Sequence, residues 1–175
     1  MSRMATVRKT HPAALDPLEL LAQCDVRRVR RSGPGGQRRN KVETGIVLRH
    51  RPTEIEVEAS ERRSQEQNRA AALRRLRVRL ALTFRVICDA DDKPGDLWRS
   101  RCRNQKISVN PDHADFPTLL AEALDFVQGC EWDTSIAAGR LGCTHTQLVR
   151  FLNVEPNALS SVNAERVTRG MRRLK

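Results

Sequence analysis

The sequence predicts an α+β fold: a small antiparallel sheet covered by a long helix, followed by a small all-α domain. Three observations predict it. Val42, Thr44, Ile46 and Leu48 alternate with Glu43, Gly45, Val47 and Arg49, and Glu54 to Glu58 alternates again, the two-residue period of half-buried strands. Arg69 to Leu82 then runs without glycine or proline, with leucines at helical spacing. Beyond an acidic stretch holding Pro94-Gly95, apolar residues recur only at helical spacing. The expected limits are a flexible N-terminus over 1–15, the sheet-and-helix domain over 16–88, a linker over 89–97 and the helical domain over 98–175.

In chain order, Asp16-Pro17 before Leu18, Leu20 and Leu21 reads as an N-cap, a proline at the first helical position and a short helix. Cys24 to Arg31 is expected as a strand, although Val26 and Val29 break strict alternation. Arg51-Pro52-Thr53 turns the chain between the two alternating strands, whose apolar face needs a helix to cover it. That helix starts at Ser64, with Gln67 at capping-box spacing. Leu73, Leu76, Leu80 and Phe84 share one face, and Arg74, Arg75, Arg77 and Arg79 form a basic ridge largely elsewhere.

In the second half, Trp98 lies in a basic cluster, Arg99 to Lys106, where either a core seat or a stacking surface for a base is open. Pro117 opens a helix carrying Leu119, Leu120, Ala123, Leu124 and Val127 and closed by Gly129. A second helix begins near Asp133 or Thr134 and reaches Gly142-Cys143, and Thr144 with Gln147 caps a third. This helix, glycine turn and helix are helix-turn-helix-like, and Pro156 opens a fourth helix. A DNA reader wants a basic recognition helix, whereas Thr144 to Leu152 holds only Arg150 as a full cation.

The formal charge of +11 points to a nucleic-acid partner. Residues 1–87 hold 20 Lys and Arg against 9 Asp and Glu, and residues 88–175 hold 12 against 12, so the excess is N-terminal. The five cysteines form no C-x-x-C pair and suit reduced thiols in a cytosol-like compartment, with packing as their expected role. Cys143, His145 and His113 lack ligand spacing, so no metal is expected. No apolar run approaches a membrane span, and no membrane partner is expected.

One stretch stands apart: Arg30-Arg31-Ser32-Gly33-Pro34-Gly35-Gly36-Gln37-Arg38-Arg39-Asn40-Lys41. Three glycines and a proline in four positions exclude a helix or strand interior, and the loop is flanked by cations on both sides. It is not a dinucleotide or phosphate loop, because the glycine spacing differs, no Gly-Lys-Ser/Thr follows, and a strand-like segment comes next. The run, continuing through Glu43, Thr44, Gly45, Ile46 and Val47, resembles the signature loop of class I peptide chain release factors. Arg63-Ser64-Gln65 and Asn68-Arg69 resemble the same family at the start of the long helix, and the likeness covers residues 18–84.

The resemblance implies a catalytic domain whose loop enters the peptidyl transferase centre, where the ester joining peptide to tRNA is hydrolysed. Gly35 and Gly36 would hold an unusual backbone and allow close approach, and Gln37 would sit at the ester. Arg30, Arg31, Ser32, Gly33, Pro34, Arg38, Arg39, Asn40 and Lys41, with Arg74 and Arg75 of the helix ridge, are the expected RNA contacts. His50, beyond the strand, is expected at the surface. The sequence departs from the family at Arg38 and Arg39, where histidine and valine are usual, at Val42 in place of threonine, and at Gly45 in place of alanine.

The loop begins near the N-terminus, leaving no room upstream for codon reading, so the expected activity is codon-independent, ribosome-dependent peptidyl-tRNA hydrolysis on stalled ribosomes or split large subunits. The expected partners are large-subunit ribosomal RNA, peptidyl-tRNA and a possible protein helper. A monomer without cofactor is expected, in the cytoplasm, with an organellar matrix kept open. The competing reading is a non-enzymatic RNA- or DNA-binding regulator built on the helix-turn-helix-like half.

Overall fold

The computed structural model describes residues 10–30 and 44–175, so Arg31 to Glu43 lie outside the described residues. The chain divides into two units: Leu15–Leu80, and the described part of Met1–Ala14 together with Ala81–Lys175. A small antiparallel sheet is covered by a long helix, and a helical region follows, as the sequence predicts.

In the first unit, Asp16 caps α1 (Pro17–Ala22) by accepting from the Leu18 N–H at 2.8 Å, with Pro17 supplying the preset φ. The sheet has the order β1-β2-β3, formed by Cys24–Val29, Gly45–His50 and Glu56–Ala59. β1 pairs with β2 from Cys24 opposite His50 to Val29 opposite Gly45. Most of β1 is exposed, which explains its lack of alternation: an edge strand with four exposed residues in a row needs no apolar period.

β2 is the central strand. Ile46, Val47 and Leu48 are all buried, so the half-buried expectation fails at Val47, which is covered on the side assigned to solvent. The turn after β2 is closed by the Glu54 N–H donating to His50 O at 2.8 Å and by the His50 N–H donating to Ile55 O at 2.9 Å. Glu54 takes a left-handed φ of 58° to make this turn, and β3 starts later than the alternation suggests.

α2 (Gln65–Thr83) begins where the capping box places it, and the Ser64 hydroxyl lies 3.5 Å from the Gln67 N–H. Its buried stripe is Asn68, Ala72, Leu76 and Leu80, a run of i, i+4 positions. Leu73 and Phe84, expected on that face, are only half-buried.

In the second unit, Trp98 of α3 (Asp96–Arg101) is fully buried, donates Nε1–H to Leu141 O at 2.7 Å and meets Phe151 edge-on at 5.7 Å. The base-stacking option for Trp98 is therefore overturned: its ring faces are packed into the core. α4 (Phe116–Gly129), α5 (Thr134–Leu141), α6 (His145–Asn153) and α7 (Pro156–Thr168) follow, with the expected prolines at the start of α4 and α7 and the expected Thr144 cap on α6. Asp133 accepts from Ser135 N and Ile136 N, Gly142 turns with φ 70°, and Thr144 accepts from Gln147 N at 3.2 Å.

One element escaped the sequence reading. Cys102–Arg103 (β4) and Lys106–Ile107 (β5) form a two-stranded hairpin between α3 and α4. The acidic stretch before α3 is tied down by Arg140, which donates to the carbonyls of Asp89 and Asp92, and by Glu122, which accepts from the Gly95 N–H at 2.6 Å. At the other end of this unit's chain, His11 accepts from Ala13 N at its Nδ1 and so presents Nε2–H to Phe84 O at 3.2 Å.

Candidate nucleic-acid interface

In sequence the glycine-rich run lies between β1 and β2, and the described residues on either side of it are placed by the β1–β2 ladder. Val29 and Gly45 are opposite one another in the last described pair of the β1–β2 ladder. A Cβ built on Gly45 would lie 2.6 Å from Val29 Cγ2, 2.9 Å from Val29 O and 3.2 Å from Ser60 Cβ. Glycine at 45 is thus a matter of space, and the departure from the family's alanine is matched by the valine crowding it.

The second fixture is Asn68, fully buried in the first turns of α2. Its Nδ2 donates to Thr44 O at 2.6 Å and to Arg62 O at 3.0 Å, and its Oδ1 accepts from Arg62 N at 2.8 Å. One amide thereby satisfies main-chain groups of two segments that have no ladder partner of their own. Thr44 is the first described residue after the run, so α2 holds the point at which the run returns to the sheet.

The cations sort into two sets. Arg27 pairs with Glu56 at 3.4 Å, Arg49 with Glu54 at 2.7 Å and Arg51 with Asp25 at 3.1 Å. Arg75, expected to contact RNA, forks onto Glu61 at 2.8 and 3.2 Å and donates to Glu58 O at 2.5 Å. The hydrogen bond from its own backbone N–H, with Arg75 adding to it, holds the Glu61 carboxyl below its usual range. Arg74 is half-buried on the same helix, and Arg30 is exposed at the end of β1. By contrast, Arg28, Arg62, Arg63 and Arg69 expose guanidinium groups that have no ion-pair partner among the described residues.

Arg62, Arg63 and Arg69 surround Asn68 in sequence, at the start of α2. Among the described residues, three of these four free guanidinium groups thus lie near the helix end that holds Thr44, with Arg28 on β1, and the middle ridge of α2 contributes Arg75 to an internal pair. The sequence expectation placed RNA contacts on the ridge at Arg74 and Arg75, and the structure shows Arg75 paired with Glu61. Arg31, Ser32, Gly33, Pro34, Gly35, Gly36, Gln37, Arg38, Arg39, Asn40 and Lys41 lie outside the described residues.

His50 corrects its expectation. It is buried at the end of β2, with Nε2 3.1 Å from Gln23 Oε1 and Nδ1 2.8 Å from Thr53 Oγ1. Nε2–H donates to the Gln23 amide oxygen, which leaves Nδ1 to accept the Thr53 hydroxyl, the neutral tautomer. Burial first, and the Arg51 charge second, push its pKa below the usual histidine value.

Among the described residues no three His, Cys, Asp or Glu side chains gather to hold a metal ion. His145 meets the Thr134 hydroxyl at 2.9 Å and His113 meets Arg101 at 3.2 Å, so both have other partners. Burial, with Cys102 nearby, pushes the Cys143 thiol up to about 12, which leaves little thiolate at neutral pH. No helix among the described residues is long and apolar enough to cross a membrane.

Residues 21–107 match the family model described as the RF-1 domain, a span that holds the sheet, the connection between β1 and β2, and α2. This part of the chain is a release-factor domain homologous to class I release factors. The chain is 38% identical over 112 residues to peptide chain release factor 2 of Pseudarthrobacter chlorophenolicus, covering 55% of this chain and 30% of that one. It is 46% identical over 113 residues to peptide chain release factor 1 of Streptococcus sanguinis, covering 55% of this chain and 31% of that one. A mitochondrial release factor-like protein of Saccharomyces cerevisiae, itself uncharacterized, is 37% identical over 89 residues, which cover 50% of this chain and 57% of that one. The chain thus spans under a third of these two bacterial factors and just over half of the yeast relative. No solved structure matches.

Proposed function

We propose that this protein hydrolyses the peptidyl-tRNA ester at the peptidyl transferase centre, independently of a stop codon, and so frees nascent chains from stalled ribosomes or split large subunits. The observation that carries the reading is the Gly35-Gly36-Gln37 run, set between paired strand ends within a release-factor domain. The close Val29–Gly45 pair and the Asn68 clamp support it, because they fix both ends of the segment that would enter the ribosome.

Water is a poor nucleophile, and its attack on the ester carbonyl places negative charge on oxygen. As water's oxygen bonds to the carbonyl carbon, the bond to the tRNA ribose oxygen breaks and that oxygen takes up a proton. A fixed donor lowers this barrier, and the Gln37 backbone N–H has that role here. The Gln37 side-chain amide is neither acid nor base at neutral pH, and it places the water. Gly35 and Gly36 let the main chain approach where a Cβ would collide. No cofactor takes part. Exposed Arg62, Arg63 and Arg69 hold ribosomal RNA phosphate beside the loop's return point.

The test is peptide release from purified stalled ribosomes with Gly36→Ala. The variant should bind ribosomes as the parent does and release no peptide. Unchanged release sinks the proposal. Release measured with and without a stop codon in the decoding site tests the codon-independent part, for which equal rates are expected.

A further inference from the structure

The β4–β5 hairpin places Arg103 directly opposite Lys106. Like charges facing each other across two strands repel, and a hairpin of two residues per strand has little pairing of its own to offset this. Within the run Arg99 to Lys106 there is no acidic residue. The two earlier cations are nonetheless neutralised, Arg99 by Asp96 and Arg101 by Asp115 at 2.6 Å. Arg103 and Lys106 are both exposed and have no ion-pair partner among the described residues.

The hairpin is also anchored. Asn104 and Gln105 take left-handed φ values of 50° and 61°, the two-residue turn that matches strand twist but that non-glycine residues adopt at a cost. That conformation is held from outside, because the Thr144 N–H donates to Gln105 O at 3.1 Å. The Ser108 N–H donates to Arg101 O at 3.2 Å, and Ile107 is buried beneath. A repulsive, strained turn is thus clamped onto the α5–α6 corner with its cations outward.

We propose that this hairpin is a contact element for the phosphate backbone of double-helical RNA. Opposed cations about 5 Å apart at their Cα atoms can bracket one phosphate, whose charge turns their repulsion into shared attraction. The tip between them offers only the amides of Asn104 and Gln105, able to meet ribose 2′-hydroxyls exposed in the shallow groove of an RNA duplex. It carries no apolar anchor of the kind that centres a protein interface. The inference does not depend on peptide release.

The experiment measures binding of the full chain to a labelled RNA duplex of about 20 base pairs as a function of salt, for the parent, for Arg103→Gln with Lys106→Gln, and for Arg103→Glu. The double variant should flatten the slope of log affinity against log salt by about 1 for each cation removed. Its melting temperature should hold or rise, since a repulsion is gone. Arg103→Glu faces Lys106 with an opposite charge, so it keeps the hairpin folded, brings the pair to the same net charge as the double variant and should weaken binding by a similar factor. Unchanged affinity and slope in Arg103→Glu overturn the inference. So does a loss confined to a DNA duplex of the same sequence, or binding to polyglutamate that falls while RNA binding stays, which would mark an acidic protein as the partner.

Discussion

Asn68 Nδ2 donates to the carbonyl of Thr44 at 2.6 Å, joining the first turns of α2 to the residue where the glycine-rich connection returns to β2. Asn68→Leu keeps the branching and the number of side-chain heavy atoms and deletes every bond of this clamp. It leaves Thr44 O and both main-chain groups of Arg62 unpaired, at an expected cost of about 2–4 kcal/mol in urea unfolding. Peptide release should fall further than ribosome binding, because the loop's return point is freed while the exposed arginines remain. Equal losses in both would show that the clamp serves stability alone.

Gly45 is confined by Val29, so Gly45→Ala should destabilise by about 1–3 kcal/mol through overpacking. Adding Val29→Ala removes the Cγ2 clash and leaves the clash with the carbonyl. The double variant should therefore recover part of the loss, measured by the same unfolding curves. Recovery of none of it would locate the crowding elsewhere.

The arginines should separate by their partners. Arg75→Ala breaks a half-exposed pair with Glu61 and should cost up to about 1 kcal/mol of stability with little change in ribosome binding. Arg62→Gln and Arg63→Gln should leave stability near the parent's and each flatten the salt dependence of ribosome binding by about 1. Sedimentation with large subunits across a salt series distinguishes the two classes.

His50 gives a pH dependence with a definite sign. Its folded pKa lies below the unfolded value of 6.5, so between the two the unfolded chain binds more protons. The stability it contributes is complete above about pH 6.5 and declines as pH falls toward the folded pKa. The parent should therefore lose more stability than His50→Gln between pH 7.5 and pH 5 in thermal unfolding. Parallel pH curves would show that the ring carries no such linkage.

How much of this was legible in the sequence differs residue by residue. The caps at Asp16, Ser64 and Thr144 were readable because a cap is a local bargain between a side chain and N–H groups two or three residues on. Val47 was misplaced because alternation reports one covered face, and a central strand covered on both sides hides its second. His50 and Trp98 turned inward because partners 27 and 43 residues away accept their N–H groups, a relation no local pattern contains. Arg75 looked like a free cation for the same reason, since its acidic partner lies 14 residues earlier. The β4–β5 hairpin was missed because Asn104-Gln105 lacks the glycine that marks such turns, its strain being held by Thr144.

The contact between His11 Nε2 and Phe84 O has a consequence for how the chain is assembled. Within the helical unit, the segment that precedes residues 15–80 and the segment that follows them touch each other. In sequence the sheet-bearing unit is thus an insertion between the two segments that build the helical unit. A short linker from residue 14 to residue 81 would close the helical unit as a separate protein, whereas a cut at residue 90 would strip His11–Ala14 of their seat. Dissecting the two halves therefore means excising the inner one, not truncating the outer.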